Sequence, residues 1–166
     1  MKLKSILSTT LVASLLLSCG RTGKNDQTDF NGNWAFHIVE DTLNYHIDYS
    51  ATDFETDSWE NVRLPHTANI EPLVVNDQWQ GICWYHKTFD ISNFSKEKKY
   101  FIEFEGAMNV IDIWINDKHL KKDMGGYLPV AADITDYVKE KDNTIRVKVD
   151  NRDNPTTGPK PLKILD

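Results

Sequence analysis

Hydrophobic and polar residues alternate in three segments of the second half of the chain, residues 100–105, 110–115 and 144–149. A period of two, with β-branched and aromatic residues, is typical of half-buried strands. Asn116 and Asp117 follow the second segment, and both residue types tolerate the positive φ of a tight turn. The pattern predicts antiparallel strands joined by short turns.

A helical period is limited to one turn at residues 135–139, where Asp133 or Thr135 could cap the exposed N–H groups. Several short strands, separated by turn residues and without a long helix, favour an all-β fold built as an antiparallel β-sandwich.

The start of the chain resembles a bacterial lipoprotein signal peptide. Lys2 and Lys4 form a positive segment, and residues 6–17 form an apolar core that is too short to be a stable membrane span. Ser18 then precedes Cys19, which resembles the lipidated cysteine of a lipobox. We expect Cys19 to become the lipidated first residue of an exported protein.

This interpretation divides the chain into a signal peptide (residues 1–18), a lipidated and flexible tether (residues 19–29) and one folded domain (residues 30–166). Acyl chains contribute about 0.8 kcal/mol per buried CH₂, so they would hold the protein on a membrane of the cell envelope. The alternative is an ordinary signal peptide cleaved near Ser18, with Cys19 incidental.

Composition and motif spacing exclude several functional classes. The formal net charge is −6 and no Lys/Arg cluster occurs, so nucleic acid is not an expected partner. The five histidines lack metal-ligand spacing, and neither a phosphate-binding glycine loop nor a serine-hydrolase motif is found. We therefore expect no metal site and no cofactor. With Cys19 lipidated, Cys83 has no disulfide partner and is interpreted as a small buried hydrophobe.

Eight short motifs carry a family resemblance. They lie at residues 34–37, 57–59, 62–67, 81–89, 104–108, 114–118, 125–129 and 150–155. In this order and spacing they resemble the N-terminal sugar-binding jelly roll of glycoside hydrolase family 2, the β-galactosidase and β-glucuronidase family. In that family the catalytic carboxylates lie on a later (β/α)8 barrel, which typically needs about 250 residues. The resemblance therefore implies a sugar-binding jelly roll without catalytic residues of its own.

The resemblance also implies that two loops reach the rim of a sugar pocket. One loop contains Asn76 and Trp79, and the other contains Asn151 and Arg152 followed by Asp153 and Asn154. Amide, carboxylate and guanidinium groups match sugar hydroxyls, and an exposed indole can stack on a pyranose ring. The alternative interpretation is structural, because Asn and Asp are ordinary turn residues and the indole could simply cover the edge of the sandwich.

Glu103 and Glu105 are the carboxylates whose spacing is closest to that of a glycosidase pair. They share one face of a strand and lie about 6.5–7 Å apart along it. They alternate with core residues on an ordinary strand, so we do not expect them to be catalytic.

The chain ends at Asp166, before the segment that completes the sandwich in the family. We therefore expect a jelly roll that lacks its closing strand, and we hypothesise a fragment of a longer, β-galactosidase-like enzyme that is inactive alone. Its expected partners are a β-linked sugar and the rest of the enzyme, in cis or separately encoded. Two alternatives are a surface carbohydrate-binding module using Trp79 with Tyr127, and a nonfunctional remnant.

Overall fold

The computed structural model describes residues 26–39, 49, 55–68 and 79–152. These residues form eight β-strands and no helix. The strands are β1 (Trp34–Ile38), β2 (Glu60–Val62), β3 (Ile82–Phe89), β4 (Phe101–Phe104), β5 (Val110–Ile115), β6 (Lys118–Met124), β7 (Val130–Asp133) and β8 (Asn143–Asp150).

The strands form two sheets that pack face to face. One sheet has six strands in the order β2-β1-β3-β8-β5-β6, and the other pairs β4 with β7. Every pairing is antiparallel. The predicted all-β, antiparallel architecture is therefore confirmed.

The three segments predicted from alternation are strands β4, β5 and β8. The sequence analysis did not assign β6, because the run from Lys118 to Met124 contains three lysines and an aspartate. This strand lies at one edge of the six-stranded sheet. Charged side chains are common on edge strands, where they discourage pairing with other chains.

The predicted turns are present. Asn116 and Asp117 join β5 to β6 with φ values of 45° and 66°. After β7, the Asp133 carboxylate accepts a hydrogen bond from the Thr135 N–H at 2.9 Å, and the Val138 N–H reaches the Ile134 carbonyl at 3.2 Å. The segment is one hydrogen-bonded turn with an aspartate cap.

The main core lies between the two sheets. Its buried members include Trp34, which is fully inaccessible, and alternate residues of the central strands. The core residues are Trp34, Phe36, Val62, Cys83, Tyr85, Ile102, Ile111, Ile113, Ile115, Val130, Ile134, Ile145 and Val147. Cys83 is a small buried core residue, as predicted, and burial raises the pKa of its thiol to about 12.

A second apolar cluster covers the opposite face of the six-stranded sheet. Successive residues of a strand point to opposite faces of a sheet. Cys83 therefore points into the main core, whereas its neighbours Ile82 and Trp84 point to the other face. The Trp84 ring lies 5.6 Å from the Tyr49 ring and 5.3 Å from the Trp114 ring. Both faces of β3 are therefore buried at its start.

The described part of the chain contains no helix of the length and apolar character needed to cross a bilayer. The predicted signal peptide, Cys19 and most of the tether lie outside the described residues, as do residues 153–166, after which the closing strand of the family was expected.

Candidate functional site

One end of the six-stranded sheet brings four connecting segments together. Asp150, at the end of β8, pairs with Ile82 at the start of β3 and with Val110 at the start of β5. Val110 in turn pairs with Met124 at the end of β6. We refer to this end as the loop end; it consists of residues 79–81, 105–109, 125–129 and 150–152.

Asn151 joins the two loops that the family resemblance implicates in sugar contact. Its side-chain Nδ2 donates to the Trp79 carbonyl at 2.8 Å, and its Oδ1 accepts from the Gly81 N–H at 2.7 Å. Its backbone N–H also donates to the Gly81 carbonyl at 3.1 Å. The structure thus brings Trp79 and Asn151 together, although they are 72 positions apart in the sequence.

The Trp79 indole contacts Gly81 closely. A Cβ atom at Gly81 would lie 2.5 Å from indole Cζ2 and 3.0 Å from Cη2, which is closer than van der Waals contact allows. Glycine leaves the space that the ring occupies. The indole is half-buried and packs against the main core, so it covers this end of the sandwich.

Arg152 forms an ion pair with Asp150. Guanidinium Nε donates to Oδ1 at 2.9 Å and Nη2 donates to Oδ2 at 2.6 Å, while the backbone N–H of Arg152 reaches Oδ1 at 3.1 Å. Burial by itself raises the pKa of Asp150, but the side-chain and backbone bonds from Arg152 outweigh burial and the pKa lies below its ordinary value. The loop end therefore presents a fixed guanidinium–carboxylate pair with part of its surface in water.

Asn109 connects a third segment to the first two. Its backbone N–H donates to the Asp150 carbonyl at 3.2 Å, and its side-chain amide donates to the Asn151 carbonyl at 3.4 Å. The Asn109 carbonyl accepts the Gly125 N–H at 2.9 Å. Gly125 and Gly126 have φ values of 144° and 79°, so the segment after β6 is a glycine-dependent turn.

Large apolar side chains are exposed at the same end. Their exposed fractions are 49% for Met108, 54% for Met124, 70% for Tyr127 and 77% for Leu128. Exposed aromatic and apolar surface beside polar groups is a common feature of ligand and partner sites.

Three of the predicted site residues, Asn76, Asp153 and Asn154, lie outside the described residues. Gly81 and Asn109 were not among the predicted site residues. The sequence signal for Gly81 is a glycine directly before an apolar strand, which indicates close approach of another group.

The other candidates for catalytic or metal-binding groups among the described residues are Glu103 and Glu105. Glu103 is exposed on β4 and Glu105 follows the end of that strand. No group of three or more His, Cys, Asp and Glu side chains in the described ranges has the geometry to hold a metal ion.

Comparison with known proteins identifies the family. The sequence profile described as "Glycosyl hydrolases family 2, sugar binding domain" matches residues 27–157. The chain belongs to glycosyl hydrolase family 2. The match includes all the described strands and the whole loop end, and it confirms the family that the eight motifs predicted.

The relatives within family 2 are named either β-glucuronidase or β-galactosidase. A β-glucuronidase of Formosa agariphila is 33% identical over 134 residues, which are 74% of this chain and 13% of that protein. A β-galactosidase of Thermoanaerobacter pseudethanolicus is 35% identical over 133 residues, which are 78% of this chain and 17% of that protein. A solved structure of a Bacteroides uniformis β-glucuronidase matches with a TM-score of 0.69 at 28% identity, over 81% of this chain and 15% of that chain.

The family 2 match also confirms the jelly-roll-like sandwich. The chain spans less than a fifth of the length of these relatives. It corresponds to the sugar-binding domain of much larger glycosidases.

Proposed function

We propose that this chain is a non-catalytic sugar-recognition domain of family 2 and that its loop end contacts a β-linked sugar. The observation that carries the proposal is the hydrogen-bonded junction of Trp79 and Asn151, which belong to the two loops implicated in sugar contact. The description of the matching family profile supports the same role.

Each group at the loop end has a distinct part in this proposal. The solvent-exposed part of the half-buried Trp79 indole stacks on the C–H face of a pyranose ring. The pair of Arg152 with Asp150 supplies donors and acceptors for hydroxyl groups. The Asn151 side chain holds the backbone of the neighbouring loop. Three further contacts are proposed outside the described residues: Asn76, Asp153 and Asn154.

The proposed sugar is a β-galactoside. A β-glucuronide is the second candidate, because the Formosa relative and the Bacteroides structure are both named β-glucuronidases. The proposed partner is the rest of a family 2 enzyme, in which this domain would shape the pocket while a barrel carried out retaining hydrolysis. The share of each relative that the chain covers supports this partner.

A stand-alone carbohydrate-binding module is the second candidate for the protein's role. The exposure of Tyr127, at 70%, favours it, because such a module needs an aromatic surface open to solvent. This candidate predicts that Tyr127→Ala weakens sugar binding as strongly as Trp79→Ala does.

Calorimetric titration of the full chain with methyl β-galactoside and methyl β-glucuronide tests the proposal and separates the two sugars. We expect one of the glycosides to bind, with an affinity that Trp79→Ala lowers severalfold. Phe101→Ala is the matched control, because Phe101 is 66% exposed but lies at the start of β4, away from the loop end. Absence of binding to both sugars, or binding that Trp79→Ala leaves unchanged, would contradict the proposal.

We further propose that Cys19 is lipidated and anchors the protein to a membrane of the cell envelope. The support is the order of the positive segment, the short apolar core and Cys19 in the sequence. Labelling bacteria that express the chain with a fatty-acid analogue should mark the protein and place it in the membrane fraction. Label that persists in Cys19→Ser would show that Cys19 is not the acceptor.

A further inference from the structure

Asn151, which directly follows β8, is hydrogen-bonded to the segment from Trp79 to Gly81. Asn151 bonds to the carbonyl of Trp79 and to both backbone polar groups of Gly81. Both ends of the Asn151 amide are directed at backbone, one as donor and one as acceptor. The side chain therefore fixes the peptide on either side of Gln80.

Asn151 is itself held in place from a second side. It directly follows β8, and its carbonyl accepts the side-chain amide of Asn109 at 3.4 Å. The Asn109 backbone N–H bonds to the adjacent Asp150 carbonyl at 3.2 Å. The backbone that carries the Asn151 side chain is therefore itself held by hydrogen bonds from Asn109, which precedes β5.

Gly81 determines where the Trp79 ring can lie. The ring occupies the volume in which any other residue would place its Cβ, 2.5 Å from indole Cζ2. The contact involves the six-membered ring of the indole, so an added methyl group would force the ring, or the segment that carries it, to move. Gly81 therefore restricts the position of the Trp79 ring, and Asn151 restricts the backbone of Trp79.

We propose that Asn151 and Gly81 are positioning residues that pre-orient the Trp79 indole for a β-linked sugar. This inference rests on the proposed function, in which Trp79 stacks on the sugar ring. A ring already held in its bound orientation loses little conformational entropy when the ligand arrives, which raises affinity without adding a contact. Neither residue needs to touch the sugar for its replacement to weaken binding.

Fluorine NMR of the full chain labelled with 5-fluorotryptophan observes the indole directly. The chain has five tryptophans, and Trp79→Phe identifies the resonance of Trp79. We expect Gly81→Ala to shift that resonance while the signals of the buried Trp34 and Trp84 stay in place. Phe101→Ala is the control, because Phe101 is exposed at the start of β4, away from the loop end.

Substitutions at Asn151 test the other half of the inference. Asn151→Ala removes both side-chain bonds and should shift or broaden the Trp79 resonance. Asn151→Asp keeps the acceptor for the Gly81 N–H but places a carboxylate oxygen against the Trp79 carbonyl, so we expect the resonance to shift in this variant as well. If Asn151→Ala does not fold, Asn151→Asp and Gly81→Ala still decide the question.

Sugar affinity measured on the same samples separates the two proposals. We expect Gly81→Ala and Asn151→Ala to lower affinity severalfold together with the change in the resonance. An unshifted Trp79 resonance in these variants would overturn the positioning role, even where Trp79→Ala still weakens binding. A shifted resonance with unchanged affinity would overturn the link between the indole and the sugar, and with it the proposed role of Trp79.

Discussion

The ammonium of Lys87 lies 4.3 Å from the centre of the Phe30 ring and donates a hydrogen bond to the Phe30 carbonyl at 3.0 Å. It also donates to the Gly32 carbonyl. Burial lowers the pKa of Lys87, since part of the charge is withdrawn from water. One cation on β3 therefore secures the segment that leads into β1.

Lys87→Met should destabilise the domain. The methionine keeps most of the apolar stem but removes the charged hydrogen bonds and the cation–π contact, so we expect a loss of about 1–3 kcal/mol in the free energy of unfolding. Urea denaturation measures it. Lys141→Met, at an exposed position, is the control and should stay within about 0.5 kcal/mol of the parent. Equal stabilities for the two variants would show that Lys87 is not a structural contact.

Asn143 is a fully buried amide at the end of the sandwich away from the loop end. Its Oδ1 accepts from the Lys139 N–H at 2.8 Å and from the Asn116 side chain at 3.0 Å. Its Nδ2 donates to the Lys139 carbonyl at 2.7 Å and to the Phe89 carbonyl at 3.3 Å. The Asn143 side chain therefore links the end of β3 to the turn after β5 and to the segment before β8.

Asn143→Ala should lower the free energy of unfolding by at least about 2 kcal/mol, because buried donors and acceptors are left without partners. Thermal or urea denaturation provides the measurement. Asn61→Ala, which removes an exposed amide on β2, should have a much smaller effect. A change at Asn143 no larger than that at Asn61 would contradict the role of the buried network.

His86 makes the stability of the domain depend on pH. Burial lowers the pKa of His86, and the nearby charge of Arg146 lowers it further. The unfolded chain, with an imidazole pKa of about 6.5, therefore binds this proton at a higher pH than the folded protein does. The contribution to stability is complete above about pH 6.5 and declines as the pH falls towards the lowered value.

His86→Gln should remove this part of the pH dependence. We expect the parent to lose stability as the pH falls from about 6.5 towards the lowered pKa of His86, and the variant to show a flatter profile over the same interval. Urea midpoints recorded across that interval supply the comparison. Parallel profiles for the two proteins would mean that another group titrates there.

The Arg152–Asp150 pair predicts a second titration effect. Arg152→Ala should raise the pKa of Asp150, because burial then acts without the opposing bonds from the guanidinium. In the parent, stability from this pair is present above the ordinary carboxyl value of about 3.9 and is lost as the pH falls through the lowered value. Carbon NMR titration of the Asp150 carboxyl group measures the shift. A downward shift or none in Arg152→Ala would contradict the pairing.

Local patterns were sufficient to predict part of the fold. Strands β4, β5 and β8 each carry one apolar face, and Asn116 and Asp117 carry the turn that follows β5. Strand β6 was not predicted, because its lysines and aspartate interrupt the alternation of apolar and polar residues. At the start of β3 both faces are buried, so the burial pattern there is continuous.

The site was less accessible to sequence analysis because its contacts are non-local. The family resemblance selected Trp79 and Asn151, but their hydrogen bond joins positions 72 residues apart. Nothing in the alternation of polar and apolar residues indicates that Asn109 supports Asn151 or that the indole needs Gly81. These relationships follow from the strand order, which places the ends of β3, β5 and β8 side by side.

Sugar binding and hydrolysis measured on one purified sample test the central claim most directly. The full chain would be titrated with methyl β-galactoside and methyl β-glucuronide and assayed with the corresponding chromogenic glycosides. The account predicts binding of one sugar without turnover of either substrate. Hydrolysis that disappears in Glu103→Gln or Glu105→Gln would contradict it, because the catalytic carboxylates would then lie within this domain.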